Sequence, residues 1–310
     1  MPHEPRAPHN PYAIFLDGSE KVRLSDVDPR DTRGLDKEAA LAEAEVFGRE
    51  FAELGNLLAY AGQHALLVVL QGRDAAGKDG TIRKILEFSD IQNAHVHPFK
   101  VPTEEEKAHD FLWRVHAVAP RRGHIALFNR SHYEDVLAAR VHELVPKSVW
   151  KRRYDHINAF ERLLVEDSNV IVLKFCLHVS RDETIERLLA REKDPRTAWK
   201  LNPNDWRELP LWHELTGAYE DALERCASPE IPWYLVPADK KWFRNVAVLE
   251  RLVLALRPHR DEWLSTLKKM GKSALEEIRA LRERARVDEH ETKKERKKKK
   301  KKKDRQRDDE

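Results

Sequence analysis

The stretch GRDAAGKDG, Gly72 to Gly80, constrains this chain more than any other part of its sequence. It satisfies G-x-x-x-x-G-K, follows the apolar run ALLVVLQG (65–72) and precedes an amphipathic segment, so the spacing predicts a buried strand, a tight loop and a helix. Gly72 and Gly77 let the backbone turn so that N–H groups across Arg73, Ala75, Ala76, Lys78, Asp79 and Gly80 point inward, forming an anion nest at a positively polarised helix N-terminus. Lys78 then reaches over the bound phosphates as a point charge. Without a ligand the same residues would make no more than a glycine turn; the flanking elements and Asp74 argue for the nest. Asp74 puts a carboxylate where phosphates should lie, which repels them unless a cation sits between, and this marks it as a magnesium ligand. Asp79 stands where Ser or Thr usually offers a hydroxyl to magnesium; it could instead stabilise the first helical turn through the dipole.

Three more apolar runs, HIALFNR (124–130), VIVLKFCLHV (170–179) and WYLVPAD (233–239), and a weaker one, AHVHPF (94–99), lack clean alternation. Strands buried on both faces of a parallel sheet read this way. Helical patterns lie between them at 103–118, 147–167 and 181–193, and Ala40, Ala44, Phe47, Phe51, Leu54 and Leu58 form one stripe of a long helix before the first strand. The alternation predicts an α/β/α three-layer sandwich on a five-stranded parallel sheet with right-handed crossovers.

Around this domain, assigned to 36–258, residues 1–35 read as an extended arm, 259–292 as a charged helix and the lysine-rich 293–310 as a disordered tail. The tail decides the sign of the net charge of +3. It holds twelve basic and five acidic residues, leaving 45 basic and 49 acidic in the rest, a net of −4. The body is therefore not a generic nucleic-acid surface, and any polyanion site in it must be local. Cys176 and Cys226 lie fifty residues apart with no metal-ligand spacing, and Cys176 reads as a small buried side chain. The N-terminus lacks a secretory pattern and no run is long enough to span a bilayer, so the expectation is a cytoplasmic protein with no membrane association.

Off the end of the run at 124–130 come Asn129, Arg130, Glu134 and Asp135, where ligands of open α/β sheets bind. Arg130 is suited to bridging phosphate oxygens and Glu134 to holding a metal or its water. Farther on, Arg187 and Arg191 lie four apart, followed by Lys193, Asp194 and Lys200. This cluster reads as a basic lid over about 181–210 that closes on transferred phosphates; the alternative is a salt-bridged helix, since Glu183, Glu186 and Glu192 interleave.

Taken in order, QGRDAAGKDGTIRK, PFKVPTEEEKAHDFLWRVH, PRRGHIALFNRSHYEDVL, KDPRTAWKLNPNDW and PWYLVPADKKWFRN resemble the type 2 polyphosphate kinase family over roughly residues 20–257. The resemblance implies a thymidylate kinase-like P-loop core with a mobile helical lid. It also implies transfer from inorganic polyphosphate to nucleotides with magnesium, for which manganese can substitute. Asn129 and Glu134 resemble the subgroup that accepts both AMP and ADP rather than the diphosphate-preferring one. Catalytic roles are carried by the resemblance onto Asp74, Lys78, Arg130 and Arg191, metal binding onto Asp74 and Glu134, and phosphate or nucleotide binding onto the loop from Gly72 to Gly80, Asn129, Arg130, Arg187, Arg191, Lys193, Asp194 and Lys200. A homo-oligomer binding AMP, ADP or ATP, with no specific nucleic acid, is the expected state. Three rivals remain open: a polyphosphate:ADP/GDP kinase of the diphosphate-preferring subgroup, an ATP-dependent nucleoside monophosphate kinase on the same fold, and a polyanion-binding scaffold acting through its tail.

Overall fold

The computed structural model describes residues 11–307, with side chains described to residue 284 except at 197 and 198. The chain divides into two compact units, Met1–Arg260 and Asp261–Glu310. In the first, the elements run β1 (Ile14–Leu16), α1 (Lys37–Ala61), β2 (Ala65–Gly72), α2 (Lys78–Leu86), β3 (Ala94–Pro98), α3 (Glu104–Ala108) and α4 (Trp113–His116). They continue with β4 (Ile125–Asn129), α5 (Ala138–Val141), α6 (Lys147–Glu166), β5 (Val170–His178), α7 (Arg181–Lys193), α8 (Pro203–Arg207), α9 (Trp212–Arg225), β6 (Trp233–Pro237) and α10 (Lys241–Leu256). Helix α11 (Arg260–Arg307) runs through the second unit.

The α/β reading is borne out: five strands are parallel, in the order β6-β5-β2-β4-β3. The expected sheet of five strands is nevertheless one short. Strand β1, inside the arm assigned to 1–35, adds an antiparallel sixth strand beside β6, with Ile14 opposite Leu235 and Leu16 opposite Trp233. Tyr12 and Ala13 are buried, and the Tyr12 N–H donates to Glu250 Oε2 at 2.8 Å, so the arm is tied into the core. A three-residue strand is too short to show a period, and its position comes only from tertiary pairing.

Local chemistry sets the other boundaries. Helix α1 starts where the Asp36 side chain accepts the Ala39 N–H and ends at Gly62 in the left-handed region, φ +63°. Its stripe of Ala40, Ala44, Phe51, Leu54 and Leu58 is buried, with Phe47 at the edge. The helical pattern at 103–118 is two short helices, the first opened by a capping box between Thr103 and Glu106. All eight residues of β2 are buried, as expected for the central strand of a parallel sheet. After β2 the chain crosses to β3 and returns to β4 on one side of it, then passes to β5 on the other, so the end of β2 is a topological switch point, where open α/β sheets bind ligands.

Helix α11 extends to Arg307, through most of the segment read as a disordered tail, and residues 308–310 lie outside the described residues. Lysine and arginine are good intrinsic helix formers, and no Gly or Pro interrupts the chain after Gly271. Among the described residues no helix is long and apolar enough to cross a membrane.

Candidate active site

Strand β2 delivers the chain to Gly72, where an added Cβ would stand 2.8 Å from the Leu177 carbonyl oxygen on β5. Only glycine lets the two backbones approach so closely. The loop then turns through Ala75, φ +60°, and Gly77, φ +105°, into α2, whose first residue is Lys78. Lys78 is buried, and its Nζ donates to the carbonyls of Gly72 at 2.6 Å and Arg73 at 3.0 Å. The lysine is thus folded over its own loop, as an anion clamp requires.

Burial, with Arg130 nearby, pulls the Lys78 pKa down to about 8, against the opposing pull of Asp74, Glu134 and Asp79. The group is charged below that value and loses its proton as the pH rises through it. The expected result is that kcat/KM for a phosphate-chain substrate falls above pH about 8, a limb to be read from a pH–rate profile. A profile flat to pH about 10, the range of an unperturbed lysine, would show that Lys78 does not supply this charge.

From the end of β4, Arg130 sits in the left-handed region at φ +61°, a strained conformation for a non-glycine residue. Its guanidinium hydrogen-bonds Asp74 Oδ1 through Nη2 and Glu134 Oε2 through Nη1, the latter at 3.2 Å. Glu134 foremost, and Asp74 after burial is overcome, raise the Arg130 pKa further. Burial would push the Asp74 carboxyl up, but Lys78 and Arg130 outweigh it and hold the group below its ordinary value. Gln71 Nε2 fixes the other Glu134 oxygen at 3.2 Å. Asn129 Nδ2 donates to Asp79 Oδ1 at 2.7 Å, tying β4 to the first turn of α2. The structure therefore brings Asp74, Lys78, Asp79, Asn129, Arg130 and Glu134 together as the sequence predicts.

The basic segment is divided. Arg191 Nη1 donates to Asp205 Oδ2 at 2.9 Å, and a small cavity beside it is lined by Asp74, Asp205, Glu208 and Trp212. Burial and the Asp74 charge push the Asp205 and Glu208 carboxyls up. Lys193 is exposed, and Asp194 turns to Arg196 at 3.0 Å.

Two residues expected to bind phosphate point elsewhere. Arg187 faces inward: its five N–H groups go to the carbonyls of Ala75, Ala76, Ala238 and Asp239 and to Glu183 Oε1. A guanidinium so saturated has no donor left for a phosphate. The Arg73 side chain lies 3.8 Å over the Trp212 ring and donates to the Trp212 carbonyl at 2.9 Å, so only its backbone belongs to the nest.

Sequence reasoning missed Gln71, Asp205 and Glu208, which carry no periodic signal, and Arg244, which does. Arg244 interrupts the buried stripe of α10, between Phe243 and the apolar Ala247 and Val248, and a cation on such a stripe needs a reason.

Such an arrangement is able to hold phosphoryl oxygens and cancel their charge, the chemistry that a phosphotransferase needs. Residues 34–262 match the polyphosphate kinase 2 (PPK2) family, and the chain belongs to it. It is 45% identical over 247 residues to the AMP/ADP-polyphosphate phosphotransferase of Meiothermus ruber, covering 79% of this chain and 91% of that one. Against the ADP-polyphosphate phosphotransferase of Rhodopseudomonas palustris it is 43% identical over 216 residues, covering 66% and 74%. The crystal structure of polyphosphate kinase 2 from Arthrobacter aurescens TC1 superposes with a TM-score of 0.76 at 37% identity, over 78% of this chain and 88% of that one.

Proposed function

We propose that this chain moves phosphoryl groups from inorganic polyphosphate to AMP and to ADP, forming ADP and ATP. The observation that carries the choice of donor is a gathering of cations beyond the phosphate loop. Burial lowers the Lys200 pKa, and Arg83, Arg191 and Lys241 lower it further against the pull of Asp79, so three further cations act within electrostatic reach of Lys200. A triphosphate is served by the nest alone; a long chain of like charges calls for a cationic surface that continues past it. The choice of acceptors rests on Asn129 and Glu134 and on the 45% identical relative that bears both nucleotides in its name.

The donor set fits a hard divalent cation. Asp74 and Glu134 offer carboxylate oxygens, and Asp205 and Glu208 crowd further negative charge around Asp74. Asp74, with Glu134, would hold magnesium, which when bound neutralises phosphate oxygens. The chain's own residues do the rest by position and charge. Lys78 and the loop N–H groups hold one phosphate, Arg130 bridges toward the other, and Arg191 with the lid segment shields the transfer from water. The acceptor phosphate is already largely anionic at neutral pH, its second ionisation lying near ~6, so no general base is needed.

The test is to incubate purified protein with AMP, magnesium and long-chain polyphosphate, without ATP, and to follow nucleotides by chromatography. ADP and then ATP are expected. Product from ADP but not from AMP would remove the assignment of AMP as acceptor, and transfer seen only from ATP would remove polyphosphate as donor.

A further inference from the structure

Arg244 poses a problem that the reaction as described does not solve. Its side chain is buried, and among the described residues no carboxylate lies within salt-bridge distance of it. Its Nε and Nη2 donate to the neighbouring Asn245 Oδ1 at 3.3 and 2.9 Å, and its Nη1 to the Ala76 carbonyl at 3.3 Å. Burying a cation without a counter-charge is costly, and here Arg187 adds a second cation beside it. Both guanidinium groups meet the same acceptor: Arg187 Nη1 also reaches the Ala76 oxygen at 3.3 Å, and the Ala75 oxygen at 2.8 Å.

The loop is built to receive them. A Cβ added at Gly77 would stand 1.8 Å from Arg244 Nη1, and one at Gly80 would stand 3.1 Å from Nη2, so two glycines press their backbone against this guanidinium. In a trans peptide the carbonyl and the following N–H point to opposite sides. Holding the Ala76 oxygen from behind therefore aims the Gly77 N–H forward. Among the described residues that N–H meets no protein acceptor, whereas the Ala76 N–H is spent on the Arg73 carbonyl at 3.1 Å.

We infer that Arg187 and Arg244 form a positioning clamp on the Ala76 carbonyl, which turns the Ala76–Gly77 peptide so that its N–H faces the phosphate held in the loop. The inference rests on the reading of this loop as a phosphate site in a polyphosphate-dependent transfer. Neither arginine touches the substrate. Arg187 reaches the loop from the root of the lid helix α7 and also holds the Ala238 and Asp239 carbonyls after β6, so the clamp joins the loop to two neighbouring strand ends. The bound anion in turn faces the two buried charges through the loop, which accounts for keeping Arg244 without a carboxylate.

The experiment compares wild type with Arg244→Lys and Arg244→Met. It reads kcat and KM with polyphosphate and AMP, thermal midpoints, and the Gly77 amide resonance of 15N-labelled protein during titration with tripolyphosphate. In wild type the Gly77 resonance shifts downfield on titration. In Arg244→Met that shift is lost and kcat/KM drops by roughly tenfold to a hundredfold, below the scale for deleting a preorganised donor because the N–H is misdirected rather than removed. Arg244→Lys, which keeps the charge and one donor, recovers a measurable part of both. An unchanged Gly77 response in Arg244→Met, or kcat/KM within twofold of wild type in both variants, overturns the clamp. Should Arg244→Met fail to fold, Arg244→Lys alone decides, since a clamp predicts a weakened Gly77 shift at a wild-type midpoint. Wild type that fails to use polyphosphate, yet shows the tripolyphosphate shift and loses it in Arg244→Met, would reject the donor and keep the clamp.

Discussion

Replacing Lys78 by Met is expected to lower kcat/KM for polyphosphate-dependent nucleotide phosphorylation by at least about a hundredfold, the scale for removing a preorganised charge from a site that works by electrostatics. The side chain is buried over the loop, so its ammonium meets a bound phosphate in a medium where a charge is worth far more than in water. Burial has already drawn its pKa to about 8, which shows how much of its hydration is gone before substrate arrives. Met keeps the length and the packing while removing charge and donors. Its effect on folding comes through the Gly72 and Arg73 carbonyls and through Asp74, whose carboxyl Lys78 helps to hold down, and is offset by relief of the buried ammonium and of its repulsion with Arg130. A rate loss of at least about a hundredfold with a small change in thermal midpoint is thus the diagnostic combination. Near wild-type turnover would mean that phosphate is not held in this loop.

How far the sequence reveals this site follows from where the information lies. The loop, the strands and the turn after β4 are set by local pattern: glycines at fixed offsets, apolar runs of strand length, polar residues at a strand end. The turning of a side chain is decided elsewhere. Arg187 has the right helical phase to join Arg191 over a phosphate, yet it is drawn inward by carbonyls contributed by Ala75, Ala76, Ala238 and Asp239, residues far from it in sequence. Arg73 is likewise captured by Trp212, more than a hundred residues away. Strand β1 depends wholly on β6 for its existence. In the lysine-rich tail the local signals oppose each other, since charge repulsion argues against order and intrinsic propensity argues for helix.

A second large effect is expected beneath the site, where the mechanism uses no residue. Lys174 on β5 is fully buried, and its Nζ donates to Glu161 Oε2 at 2.7 Å, to the Tyr133 hydroxyl at 3.1 Å and to the Cys226 carbonyl. The other Glu161 oxygen accepts from the Tyr133 hydroxyl at 2.8 Å and pairs with His132 Nε2 at 3.2 Å. Burial alone would push the Glu161 carboxyl up; Lys174 and His132 hold it below its ordinary value instead. Lys174→Met is therefore expected to cost about 3–5 kcal/mol of unfolding free energy in urea titrations, because it strands a buried carboxylate. Glu161→Gln with Lys174→Met, which removes both charges, should recover most of that loss. The deficit of the single variant should also shrink as the pH is lowered from about 8 toward about 5. Without Lys174 the folded-state pKa of Glu161 lies above its unfolded value, so the folded form holds a proton that the unfolded form releases, and stability rises as the pH falls. Equal stability of Lys174→Met and wild type at about pH 8 would show the pair to be inert. His132 and Tyr133 sit with Glu134 in the turn that follows Arg130, so the buried ion pair anchors the turn next to the strained residue expected to bridge phosphates.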